Sequence, residues 1–203
     1  LRRQGSMVDL GNWMKSNDTF YGAGAVMSTF IGNHDVPRVI HIAEDTPLFG
    51  DWDDGKGRAW SNQPGSPANQ RPFERLGVAF ALLFTSPGVP LIYYGDEVGL
   101  AGAGDPDNRR MMPWSGYSSD QVALRDRVKR LAQIRTAHAA LRRGARTVLG
   151  GTADVVTYEM RAPGDTVIVA LNRSDTAQPA AAVPAGAYDE LLTQQAVSAP
   201  LSV

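Results

Sequence analysis

Apolar and polar positions alternate along the chain in blocks that switch between the period of strands and that of helices. Val26–Ile31 is a short apolar run with β-branched members, stopped by Gly32, and it predicts a buried strand. A short helix is expected over 36–43. From 44 to 70 the chain is punctuated by Gly, Pro, Asp, Asn and Ser around Trp52 and Trp60, which predicts a long loop. Phe73, Leu76, Phe80, Leu83 and Phe84 fall on one stripe of a helix over 73–85, ended by Ser86-Pro87-Gly88. Val89–Tyr94 reads as a second buried strand. A longer helix over 119–141 carries Val122, Leu124, Val128, Leu131, Ile134, Ala137 and Leu141 on its apolar face. Its arginines and Lys129 read as the solvated face, not a binding patch. Beyond Thr147 the period becomes that of strands: 154–160 and 166–171, joined through Ala162-Pro163-Gly164-Asp165, predict an antiparallel hairpin.

Strand, helix, strand, helix implies a parallel sheet covered by helices, an open α/β sheet or part of a barrel, followed by an all-β segment. In such sheets the loops at the strand C-termini collect functional groups. Here the first strand delivers Asn33, His34 and Asp35, and the second delivers Asp96 and Glu97. Taken alone, an Asn-His-Asp triplet is as readily a turn with a helix cap.

Charge narrows the partners. Twenty basic residues stand against 21 acidic ones without a run of either sign, which argues against nucleic acid. No apolar stretch approaches the roughly 20 residues of a membrane helix. Without cysteine, thiolate metal sites and thiol nucleophiles are excluded, and the three histidines lack ligand spacing, so no metal site is expected. The segment 51–62, "DWDDGKGRAWSN", only loosely suggests a calcium loop. Glycine holds its fifth position and Asn62 stands where a bidentate Glu belongs, so a solvated insertion is expected.

Four segments together resemble the α-amylase family of retaining glycoside hydrolases: "FIGNHDVPR" at 30–38, "GVPLIYYGDEVGL" at 88–100, "GDPDNRRMMPW" at 104–114 and "LAQIRTAHAALRRG" at 131–144. The resemblance implies an α/β fold: the C-terminal portion of a (β/α)8 TIM barrel with strands seven and eight over 1–144, then an incomplete antiparallel β-sandwich over 145–203. It also implies cleavage of α-1,4-glucosidic bonds in starch and maltooligosaccharides by double displacement, with a cyclomaltodextrinase- or neopullulanase-like hydrolase, or a glucan transferase, as the alternative within the family. In such enzymes two carboxylates stand roughly 5–5.5 Å apart across the bond. By the same resemblance Asp35 is a third, catalytic carboxylate that stabilises the transition state, while His34, Asp105 and Arg109 bind sugar. The partner is an α-glucan. Neither the nucleophile Asp nor the acid Glu has a place in this sequence, since both belong to earlier barrel strands. The chain is therefore expected to be part of a longer enzyme, to need the N-terminal part of the barrel as its other partner, and to be inactive alone. No cofactor is expected here; a structural calcium would belong to the intact enzyme. A non-catalytic carbohydrate-binding piece is the reading from a different class.

Overall fold

In the computed structural model, which describes residues 1–22 and 24–203, the chain forms two compact units, each assembled from separate stretches of sequence. Unit 1 comprises 1–2, 30–80 and 91–129; unit 2 comprises 3–29, 81–90 and 130–203. These units cut across the expected division at 144/145.

Unit 1 is built on the first part of helix α2 (Arg71–Thr85) and of helix α3 (Ser119–Ala137). Phe73, Leu76 and Phe80 point inward from α2, and Leu124 and Val128 from α3, in agreement with the helical stripes. Val39, Ile40 and Ala43 complete this core from a 3-10 helix over Val39–Ile42, the tight form of the short helix expected at 36–43. The long loop is not featureless, for it contains a 3-10 turn at Lys56–Arg58 and buries Phe49 and Ala59.

Unit 2 opens with helix α1 (Met7–Tyr21), an element the hydrophobic pattern does not reveal. Its buried positions are Met7, Gly11 and Met14, and a glycine on the seam removes the apolar signal. The legible sign was the capping box: Ser6 Oγ accepts from the Asp9 N–H, and Asp9 answers on the Ser6 N–H. Asp18, which reads as part of a polar turn, lies inside this helix and receives Arg146 through two bonds of 2.9 and 2.8 Å. Helix α1 packs on an antiparallel sheet of β3 (Ala145–Gly151), β4 (Val155–Ala162) and β5 (Asp165–Asn172), in the order β3-β4-β5. The predicted hairpin is the β4–β5 pair, closed where Ala162 faces Asp165. A second hairpin, β6 (Ala187–Glu190) with β7 (Gln195–Ser198), forms a separate two-stranded sheet. Leu201–Val203 returns to Gln178 and Ala180 through backbone bonds around a single bridge.

The helix predicted over 119–141 ends at Ala137 and restarts as α4 (Ala139–Arg143), because His138 takes an extended conformation. Asp165 holds this break, accepting from the Ala140 N–H at 2.9 Å and standing 3.0 Å from His138 Nδ1.

The two predicted buried strands come out differently. Only Ser28–Thr29 (β1) and Val89–Pro90 (β2) are regular, paired in parallel with each other and with nothing else among the described residues. Val26 is 77% exposed and Val89 55%. A parallel strand is buried only when strands on both sides and helices on both faces cover it. The pairing itself depends on Gly88, with φ +94, where an added Cβ would lie 2.1 Å from the Met27 carbonyl oxygen.

Candidate functional site

Unit 1 gathers three loops around residues 33–38. The first follows β1. Asn33 Oδ1 accepts the Asp35 N–H at 2.8 Å, an Asx turn that tips His34 and Asp35 outward. Both side chains are open to solvent, 58% and 71% exposed, and His34 Nε2 stands 3.4 Å from Asp35 Oδ1. The second loop is the segment after β2. There Asp105 and Arg109 pair at 2.7 Å, each about half exposed, and Arg109 Nη2 also approaches the His34 carbonyl at 3.4 Å. All four residues singled out in the sequence thus lie on neighbouring loops. Asn108, which sequence reasoning passed over inside the "DPDNRR" run, ties the two loops together. Its Nδ2 donates to the His34 carbonyl at 2.8 Å and to the Val36 carbonyl at 2.9 Å.

The third loop is 51–62. Its Asp53 and Asp54 side chains accept from the backbone N–H groups of Gly55 and Lys56 at 2.8 and 3.0 Å. Gly55 in turn meets Gly104, whose N–H donates to the Gly55 carbonyl at 3.2 Å. A Cβ on Gly104 would fall 1.8 Å from the Asp54 carbonyl oxygen, so only glycine permits this approach. The segment expected to be a solvated insertion is therefore seated on the loop that carries Asp105. It leaves Trp52 and Trp60, 98% and 83% exposed, on the surface of the unit.

Beneath the open residues lies a buried polar layer. Arg38, 1% exposed, donates from Nη1 to the Tyr94 carbonyl and to Asp96 Oδ1, the latter at 3.1 Å. Its guanidinium is 4.2 Å from the Tyr93 ring centroid and 4.7 Å from that of Tyr94. The faces of the two tyrosines are thus engaged with arginine. Burial pushes the Asp96 carboxyl up to about 7, and Arg38 only partly offsets it. Ion-pair geometry and raised pKa pull in opposite directions here; the desolvation of a carboxylate 2% exposed is the larger effect. Arg38 Nε and Nη2, Asp96 Oδ2 and Asn108 Oδ1 are buried without a hydrogen-bond partner among the described residues.

His41 belongs to the same layer. Its Nε2 accepts from the Gly102 N–H at 3.1 Å, so its proton resides on Nδ1, which donates to Glu44 Oε1 at 2.7 Å. Burial lowers the His41 pKa despite Glu44. Asp107 accepts from the Ala103 N–H and from Arg110, each at 2.7 Å; burial raises its pKa, and these bonds outweigh burial, leaving it lowered. Of these buried groups only Asp96 stood out in the sequence, as part of the polar exit of the second strand; Arg38, Asp107 and Asn108 lie inside the quoted motifs without having been singled out. No group of three or more His, Cys, Asp or Glu among the described residues could hold a metal ion.

The arrangement presents a hydrogen-bonding surface for a neutral, polyhydroxylated molecule: a carboxylate and an imidazole side by side, an Asp–Arg pair next to them, and exposed indoles on the same unit. No family model matches the chain. Among curated proteins it is similar to a cyclomaltodextrin glucanotransferase of Paenibacillus macerans, 34% identical over 192 residues, which are 92% of this chain and 23% of that protein. It is likewise similar to an amylopullulanase of Thermoanaerobacter thermohydrosulfuricus, 31% identical over 73% of this chain and 10% of the relative. The chain thus spans about a quarter or less of these two relatives. Among solved structures, an Anoxybacillus α-amylase superposes with a TM-score of 0.72 at 27% identity, covering 96% of this chain and 38% of the other. The α-amylase of Geobacillus thermoleovorans, solved with acarbose, gives a TM-score of 0.75 at 24% identity over 99% of this chain and 43% of that one, a likeness of fold. By motif, by sequence similarity across nine-tenths of its length and by fold, the chain belongs to the α-amylase family.

Proposed function

We propose that these residues form the C-terminal part of a retaining α-glucan-active enzyme, with 1–144 completing a (β/α)8 barrel through strands seven and eight and 145–203 entering a C-terminal β-sandwich. The observation that carries this reading is the convergence of His34, Asp35, Asp105 and Arg109 on adjoining loops of one unit. The exposed Phe30, Leu91 and Ile92 agree with it, for they are the side chains that further barrel strands and helices would cover.

In this reading the substrate is starch or a maltooligosaccharide, and the nucleophile and acid carboxylates come from earlier strands. Asp35 accepts from hydroxyls of the sugar whose bond breaks, most strongly in the flattened oxocarbenium-like state, and so favours the distorted ring. His34 donates to a neighbouring hydroxyl. Arg109 and Asp105 hold a sugar further along the chain, where a planar guanidinium grips two oxygens. A structural calcium belongs to the remainder of the enzyme in this reading. Transfer to a sugar acceptor is the second reading, favoured by the similarity to a glucanotransferase; product analysis with maltohexaose separates cyclic or transferred products from plain hydrolysis.

The decisive test is Asp35→Asn in the enzyme that carries this sequence. The substitution keeps shape and removes charge, so kcat falls steeply while KM changes little. Near-normal kcat would remove Asp35 from the reacting centre.

A further inference from the structure

We propose that Asn108 is a positioning residue for Asp35, a clamp that holds the Asp35 backbone at the angle its carboxylate needs. This inference rests on the reading of Asp35 given above. Asn108 is 0% exposed, and its side-chain amide has two hydrogens. Both are used, at 2.8 and 2.9 Å, on the carbonyls of His34 and Val36, the residues immediately before and after Asp35. The flipped amide would set an oxygen against two carbonyl oxygens, so the partners fix its orientation. Asp35 itself has its N–H taken by Asn33 at 2.8 Å, while its carboxylate, beside His34, is open to solvent. The peptide that enters Asp35 and the peptide that leaves Val36 are thereby pinned, which brackets the Asp35 backbone.

The clamp has a rigid base. Asn108 sits in the 3-10 turn Asp107–Arg109. Asp107 anchors this turn to the Ala103 N–H and to Arg110, and the Asn108 N–H reaches the Gly104 carbonyl at 3.3 Å. Gly102 lies against it so closely that an added Cβ would be 3.0 Å from Asn108 Cα. Arg109 also reaches the His34 carbonyl, but at 3.4 Å and from a half-exposed side chain, so it cannot replace two buried donors. An acceptor carboxylate that acts most strongly in the transition state is sensitive to displacement on the ångström scale. Freeing the two carbonyls therefore affects turnover more than ground-state binding.

The experiment is a double-mutant cycle in the enzyme that carries this sequence. Asn108→Ala is expected to lower kcat by about 10- to 100-fold, the range that small misplacements produce, and to leave KM within about threefold. In an Asp35→Asn background the same substitution is expected to change kcat by less than about twofold, because the clamp acts through the carboxylate already removed. A second variant, Asn108→Asp, keeps the volume but has one donor when protonated and none when ionised. Its kcat relative to the unsubstituted enzyme is expected to rise as pH falls. A kcat for Asn108→Ala within twofold of the unsubstituted enzyme overturns the proposal, as does a loss repeated in full in the Asp35→Asn background. If Asn108→Ala does not fold, a flat pH profile for the ratio in Asn108→Asp overturns it. Near-normal kcat for Asp35→Asn alone would instead defeat the reading of the site, whatever Asn108 does.

Discussion

Asp96 and His41 are buried within one unit, yet their protonation acts on stability in opposite directions. Asp96 titrates in the fold near 7, above its unfolded value of 3.8. Between those values the folded state binds more protons than the unfolded one, so its contribution is fully present below 3.8 and is lost as pH rises through 7. His41 is shifted below its ordinary 6.5, so its contribution is present above 6.5 and is lost as pH falls through its folded value. Replacing Asp96 by Asn should remove a component of stability that declines from pH 4 to 7. Replacing His41 by Gln should remove one that rises toward 6.5. Hydrogen exchange of the 95–104 backbone across this range measures both, and slope changes of the same sign in the two variants would refute the assignments. At the same scale, Arg109→Ala in the intact enzyme is expected to weaken action on long maltooligosaccharides by roughly 1–3 kcal/mol, the worth of a charged hydrogen bond. Chains too short to reach Arg109 should hardly respond. Equal loss of kcat/KM at every chain length would make the Asp105–Arg109 pair a loop stiffener.

Among elements, the junction of α2, α3 and α4 depends on one buried cation. Arg135, on the last turn of α3, donates from Nη1 to the carbonyls of Phe84, Ser86 and Leu141 at 2.7, 3.0 and 2.5 Å, and from Nη2 to that of Gly88. Two of these acceptors, Phe84 and Ser86, lie at the end of α2, where helix carbonyls lack partners of their own. The sequence pattern places Arg135 on the wet face of its helix, yet it is 7% exposed. Arg135→Met should therefore destabilise by about 3 kcal/mol or more, since each buried carbonyl left unpaired costs 1–3. Arg135→Lys, with one compact ammonium, should recover only part of that. Thermal unfolding of both variants checks the order, and an Arg135→Met protein as stable as the parent would contradict it. The periodicity revealed α2 and α3 because their buried stripes are long and apolar. It could not reveal α1, whose seam passes through glycine, nor the break at His138, which Asp165 imposes from the neighbouring strand.

For the whole molecule, the expectation is that these 203 residues alone release no reducing sugar from starch or maltooligosaccharides at enzyme-like concentrations. In the reading above Asp35 is an accessory carboxylate, and the two that make and break bonds come from earlier barrel strands. Turnover by rigorously purified chain, abolished by Asp35→Ala, would overturn it.

The sequence by itself determined what local chemistry dictates. Apolar period marked α2, most of α3 and the β4–β5 hairpin, because one-sided burial writes itself into spacing. The motifs around Asp35 and Asp105 marked the family, and they contain His34, Asp35, Asp105 and Arg109, whose side chains the fold leaves open to solvent. Tertiary structure alone decided the rest. Whether 26–31 and 89–94 are buried depends on neighbouring strands, which no residue within those segments can specify. Which polar residues support the site depends on backbone carbonyls, and these have no identity in a sequence. Arg38 and His41 look like ordinary residues of a short helix, and Asn108 like a loop residue, until the fold brings the Tyr94 carbonyl, the Gly102 N–H and the carbonyls of His34 and Val36 within reach of their side chains.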